Sequence, residues 1–283
     1  MKNCKIFFLS FLFVLKFAYF TPFASAQNLF DSIHSEMYAH YLFANHEYEL
    51  ASQEFERILF MTDYTNDSLK WLCVKSIRLS GNPQSAEKRI GNFYPTNNFP
   101  NALLSKEYLK ILFEEKKYGL AQKDLFHLEK LDSTDRSVFY LSSLLLTKQY
   151  KKAIEIVDST PASNITVAQF KPIIASQKSM SFKKPWLAGT FSAIIPGLGQ
   201  TYAGNWKDGV FALIFTGSSA FQAYRGFHKA GIGSPFGWIF TAIGSAFYAA
   251  NIYGAAKAAN KYNFLNHVKI SIQVDALLDN YYH

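Results

Sequence analysis

The sequence predicts an all-α chain, in which a solenoid of short helical pairs is followed by a membrane helical domain of two or three spans. Three observations carry that expectation. Apolar residues between 28 and 158 recur at helical spacing, as in Leu50, Phe55, Ile58 and Leu59. Four short joints in the same segment return at intervals of 35, 35 and 32 residues. Beyond Pro185, three uncharged stretches follow one another with only brief charged interruptions.

Composition bounds the rest. With 283 residues, 49% of them apolar, 27 Phe, 17 Tyr and two Cys, the chain is neither disordered nor collagen-like nor stapled by disulfides. It carries 29 Lys+Arg against 21 Asp+Glu, a formal charge of +8. That surplus is not gathered in one place. Lys2, Lys5 and Lys16 precede residue 27, and residues 27–181 are balanced. Residues 182–283 hold eight basic side chains and the three acids Asp208, Asp275 and Asp279. No folded region has the basic excess of a nucleic-acid groove, so a nucleic-acid partner is not expected.

Residues 1–26 read as a signal peptide. Lys2 and Lys5 precede an apolar run from Ile6 to Phe20, and Ala24-Ser25-Ala26 offers small residues before a cleavage at Gln27. An uncleaved anchor is the competing reading, but Lys16 interrupts the short run. Removal leaves Cys73 as the one cysteine, flanked by Trp71, Leu72 and Val74 and expected to be a small core residue.

The four joints are His46-Glu47-Tyr48-Glu49-Leu50-Ala51, Gly81-Asn82-Pro83-Gln84-Ser85-Ala86, Lys116-Lys117-Tyr118-Gly119-Leu120-Ala121 and Lys148-Gln149-Tyr150-Lys151-Lys152-Ala153. In each, an alanine stands three residues after a Tyr or Pro, where a small side chain lets two helices approach closely. Paired helices with this period resemble the tetratricopeptide-repeat family over about 28–158, although Pro83 replaces the tyrosine in the second repeat. The resemblance implies that a concave face made by the first helix of each pair binds a protein or peptide partner. Tyr38, Tyr41, Lys75, Tyr108 and Tyr140 are the candidates for that face, with packing within the solenoid as the alternative role for each. Residues 159–185, with Pro161 and Pro172, are expected to form a capping helix and linker.

The uncharged stretches are Pro185–Trp206, Gly209–Tyr224 and Ala230–Ala256, and they define a membrane helical domain at 186–256 with a tail at 257–283. Small residues such as Gly217, Ser218, Ser219 and Ala220 suit close helix packing in lipid. Within the first stretch lies Pro196-Gly197-Leu198-Gly199-Gln200-Thr201-Tyr202-Ala203-Gly204. This pattern resembles small bacterial membrane domains of the two-transmembrane-helix domain family, over about 188–227. The resemblance implies a Gly-rich corner and no established chemistry. Pro196, Gly197, Gly199, Gln200, Tyr202 and Gly204 are therefore motif residues, with Gln200 expected to hydrogen-bond between helices. With three spans, the flanking cations divide equally between the two sides. If the first stretch is re-entrant, the tail returns to the side of the repeats. Val268–Val274 alternates apolar and polar residues like a strand.

No catalytic, metal or cofactor constellation is present in the sequence. The glycines lack the spacing and the Lys-Ser/Thr of a phosphate loop. There is no His-Glu-x-x-His and no Gly-x-Ser-x-Gly. The expected protein is not an enzyme and needs no cofactor. It is an exported, membrane-anchored scaffold or assembly factor in the bacterial cell envelope, with its repeats on the exported side. It contacts the bilayer through 186–256, and Gly-rich spans allow a homo-oligomer. The alternative is a component of a transport system for a small solute or lipid, to which the repeats recruit partners.

Overall fold

The computed structural model describes residues 31–161 and 163–282, and every regular element among them is a helix. The signal peptide expected at 1–26 lies outside the described residues. By its internal contacts the chain divides into two units, one ending at Pro100 and one beginning at Asn101. The segment expected as repeats contributes two helical pairs to each.

The first unit is formed by α1 (Ser32–Ala44), α2 (Tyr48–Met61), α3 (Asp67–Leu79) and α4 (Pro83–Phe93), each packed on the next. Its core holds Leu42, Phe55, Ile58, Leu59, Leu69 and Cys73. In the second unit α5 (Ala102–Glu114), α6 (Tyr118–Asp124), α7 (Ser133–Leu146) and α8 (Tyr150–Ser159) repeat the plan.

The four joints share one geometry. His46, Gly81, Lys116 and Lys148 all have positive φ, between 59° and 85°. Each first helix closes with the paired hydrogen bonds of a Schellman cap. One such pair is Glu47 N–H to Leu42 O (2.9 Å) with His46 N–H to Phe43 O (3.1 Å). Another is Lys117 N–H to Leu112 O (2.8 Å) with Lys116 N–H to Phe113 O (3.0 Å). The left-handed residue turns the chain back at once. Ala51, Ala86, Ala121 and Ala153 then meet the preceding helix and are all fully buried. Tyr48 and Tyr118 lie edge-on against Phe43 and Phe113, both at 5.4 Å between centroids.

Each first helix also opens alike. Asp31, Asn66, Asn101 and Asp132 stand at N-caps and accept backbone N–H bonds at 2.8–3.2 Å. Between α6 and α7 the chain is irregular. The Arg136 guanidinium binds the carbonyls of Leu125 and Leu128 there and satisfies what no helix does.

The capping segment forms α9 (Ile165–Ala168) and α10 (Lys171–Ser179), with Pro172 in the first turn of α10, where its missing N–H costs nothing. There follow α11 (Pro185–Ile194), α12 (Leu198–Tyr202), α13 (Trp206–Ala230) and α14 (Pro235–Tyr282).

Two expectations are corrected here. The stretch Pro185–Trp206 is not a span: the turn at Pro196-Gly197 breaks it into α11 and α12, and α11 is only about 15 Å long at 1.5 Å per residue. Val268–Val274 is not a strand but part of α14. Asn266, Ile270, Val274 and Leu278 are buried four residues apart, while Ile272 is exposed, so the alternation concealed a helical stripe. No helix among the described residues is long and apolar enough to cross a membrane. Glycine, serine, threonine, Gln222 and Asn251 dilute the apolar stretches of α13 and α14.

Candidate functional site

The Pro196–Gly204 motif builds a buried polar corner between α11, α12 and α14. Pro196 and Gly197 occupy the centre of a type II turn, closed by Leu198 N–H to Ile195 O at 3.1 Å. Proline presets the first central position, and the second needs positive φ, which Gly197 supplies at 89°. A side chain there would also strike the backbone of Gly209. Gly199 is held for a different reason: an added Cβ would lie 1.9 Å from the carbonyl of Ala188 and 2.7 Å from Ala255. Gly204 has φ of 86° and ends α12 with the same paired bonds as the repeat joints.

Around these glycines three buried polar side chains satisfy one another. Ser192 donates to Gln200 Oε1 (2.9 Å) and accepts from Gly199 N–H (3.0 Å). Gln200 Nε2 donates to the carbonyl of Asn251 (3.0 Å). Asn251 accepts from Gly197 N–H (2.9 Å) and donates to the carbonyl of Ser192 (3.0 Å). Gln200 therefore bonds between helices, with Oε1 and Nε2 each engaged. Ser192 and Asn251 were not singled out from the sequence. The signal available was a lone amide inside the uncharged run 230–256.

Tyr202 seats the corner on the chain around it. Its hydroxyl accepts from Lys184 N–H (3.2 Å), its ring meets Phe191 edge-on at 5.4 Å, and the Lys183 ammonium lies 4.9 Å from its centroid. Asn263 pairs with both backbone groups of Lys183 at 2.7 Å, which ties α14 to the entry of α11.

No protein-family model, curated protein or solved structure matches this chain.

The site thus rests on its own geometry, and the repeat faces are the second candidate. In the first unit Tyr38 and Tyr41 stack at 6.5 Å and are exposed, 50% and 63%. Lys75 is half-buried, with its ammonium 5.4 Å from the Phe43 ring and 4.8 Å from the Trp71 ring. In the second unit Tyr108 is buried and its hydroxyl donates to Asp124 at 2.7 Å, so it belongs to the packing. Tyr140 is half-buried against Phe126.

The helices of the second unit already hold a segment of this chain. Phe139 of α7 meets Tyr281 and Tyr282 at 6.3 and 6.2 Å. Lys106 and Lys110 of α5 lie over the same two rings at 4.3 and 4.8 Å. Further along α14, the Tyr150 hydroxyl is 2.7 Å from His267 Nδ1. Burial, with Lys148 nearby, holds the imidazole below its usual range, and burial pushes the Tyr150 phenol up to about 12. A neutral ring accepting the hydroxyl proton fits both shifts.

Cys73 is fully buried, and burial raises its thiol to about 12, which keeps it protonated and inert. Among the described residues no group of three His, Cys, Asp or Glu side chains could hold a metal ion.

Proposed function

We propose that this protein is a membrane-seated scaffold or assembly factor of the bacterial cell envelope, with its repeats on the exported side binding a protein partner. The observation that carries this reading is the inverted polarity of the hairpin α13–α14. Between Gly209 and Ala256 its buried positions are Gly209, Ser219, Ala223, Gly226, Ser234, Gly237, Asn251 and Ala255. Its exposed positions include Phe211, Leu213, Ile214, Phe215, Phe221, Ile239, Ile243 and Phe247. In the first unit the order is the usual one, with Phe55, Ile58 and Leu59 inside. A surface of this size made of large apolar side chains calls for an apolar solvent. Of the polar residues that lower the mean hydropathy of these helices, Ser219 and Asn251 face inward, while Ser218 and Ser245 are exposed among the apolar side chains.

The pairing of the two helices supports the same placement. Gly226 lies against Gly237, Ser219 against Gly244, and Phe215 against Phe247. Continued along the hairpin, this register sets Lys207 level with Ala256, next to Lys257. The uncharged band of α13 from Gly209 to Tyr224 is about 24 Å long, a little short of a hydrocarbon core of about 30 Å. Lys207, Arg225 and Lys229 can extend their charges to the headgroups from such a band. Trp206 stands at one end and Trp238 at the other, both exposed, as interfacial aromatics do.

The exposed Tyr38–Tyr41 pair of the first unit is the partner surface in this reading, and homo-oligomers through the Gly-rich helices are open to it. Membranes washed at alkaline pH are expected to retain the protein. Cross-linking is expected to capture a partner that Tyr38→Ala with Tyr41→Ala loses. Release into the alkaline supernatant would remove the membrane reading, and unchanged capture would remove the assigned face.

A further inference from the structure

Resting on the bilayer reading above, we propose that the closed end of the hairpin α13–α14 is a headgroup site for anionic phospholipid. A cavity of about 410 Å³ opens there, lined by Gln222, Arg225, Gly226, Lys229, Ser234 and Phe236. Arg225 and Lys229 are four residues apart and so share one face of α13. Their charge has no local answer. From Gly209 to Val274 the sequence holds Arg225, Lys229, Lys257, Lys261 and Lys269 and not one Asp or Glu. Among the described residues the Arg225 guanidinium reaches only the amide oxygen of Gln222, at a long 3.4 Å. The carbonyls ending α13 favour nearby cations but do not neutralise two of them.

The helices touch at the floor of the notch, where a Cβ on Gly226 would lie 2.6 Å from the Gly237 nitrogen. Its rim is aromatic. Phe236 and Trp238 are exposed, and the Trp238 indole N–H donates to the carbonyl of Ile232 at 2.9 Å, fixing the loop. A guanidinium fork beside an ammonium suits a phosphodiester, which both can contact without losing their own partners. Aromatic rings at the same level suit the glycerol and upper acyl region. The occupant is thus an anionic phospholipid and not a zwitterionic one, whose own cation opposes the site.

The test uses the full-length protein reconstituted in phosphatidylcholine vesicles containing a trace of spin-labelled phosphatidylglycerol or spin-labelled phosphatidylcholine. Electron spin resonance then reads the fraction of each label immobilised by protein. The expected result is a several-fold preference for phosphatidylglycerol, brought close to unity by R225Q with K229Q. Lys257→Gln with Lys261→Gln, which removes the same charge from elsewhere on α14, should retain most of it. Retained preference in the first pair, or equal loss in the second, overturns the site. Displacement of the lipid label by inorganic phosphate at matched concentration would assign the notch to free phosphate and overturn the lipid. Failure to enter phosphatidylcholine vesicles at all brings down the bilayer reading and this site together. Entry without lipid preference brings down the site alone.

Discussion

Asn251 shows how one side chain decides a local fold. It is buried in the uncharged part of α14, and it both receives the Gly197 N–H and caps the Ser192 carbonyl. Without it, two backbone groups inside the corner lose their partners, and each such loss costs about 1–3 kcal/mol. Asn251→Leu should therefore lower the unfolding midpoint of the detergent-solubilised protein by more than Asn263→Leu does, since Asn263 is half-buried and nearer to water. Equal effects would mean that the corner does not depend on this network. The motif residues Pro196, Gly197, Gly199 and Gln200 were readable from the sequence because proline and glycine announce a turn wherever they stand. Their partners were not. Ser192 and Asn251 acquire meaning only when α11 and α14 are brought side by side, and they lie 59 residues apart.

Among the elements, the repeats were the most readable. The joints repeat in sequence, and the structure gives each one the same left-handed residue and the same pair of closing bonds. A second periodic signal lies beside them: Asp31, Asn66 and Asn101, N-caps of the first helices of the first three pairs, keep the same register as the joints, and Asp132 is displaced from it by one residue. The long helix α14 was harder, because its half toward the C-terminus presents a stripe that can pass for a strand until its neighbours are known. That half also carries a titratable contact. His267 is held below its ordinary range, so the unfolded chain binds a proton near pH 6.5 where the folded one does not. Its contribution to stability is complete above that pH and is lost as the pH falls below it. Asp275 acts in the opposite sense: burial raises its carboxyl, so its protonation on further acidification favours the folded state. As the pH falls through about 6.5, where the unfolded chain takes up the imidazole proton, His267 lowers the unfolding midpoint. His267→Gln should flatten that slope, and an unchanged slope would place the sensitivity elsewhere.

At the scale of the whole molecule, the question is on which side of the hairpin the ends of the second unit lie. The first uncharged stretch forms a corner and not a span, and the end of α14 packs against α5 and α7. If the hairpin is seated in a bilayer, the α5–α8 repeats and the C-terminus then share one side. In sealed vesicles, a protease site placed in the loop after α8 and one fused at the C-terminus should be cut together or protected together. Cleavage of one alone would restore the three-span arrangement. By itself the sequence determined the helical class, the repeat period and the uncharged block, because each depends on spacing or composition along the chain. The tertiary structure alone decided which residues of that block face inward, which polar groups answer one another, and that α14 runs unbroken from the hairpin to the repeats of the second unit. Those outcomes depend on contacts between different segments, from Gly226 with Gly237 to Tyr150 with His267, and the order of residues along the chain does not contain them.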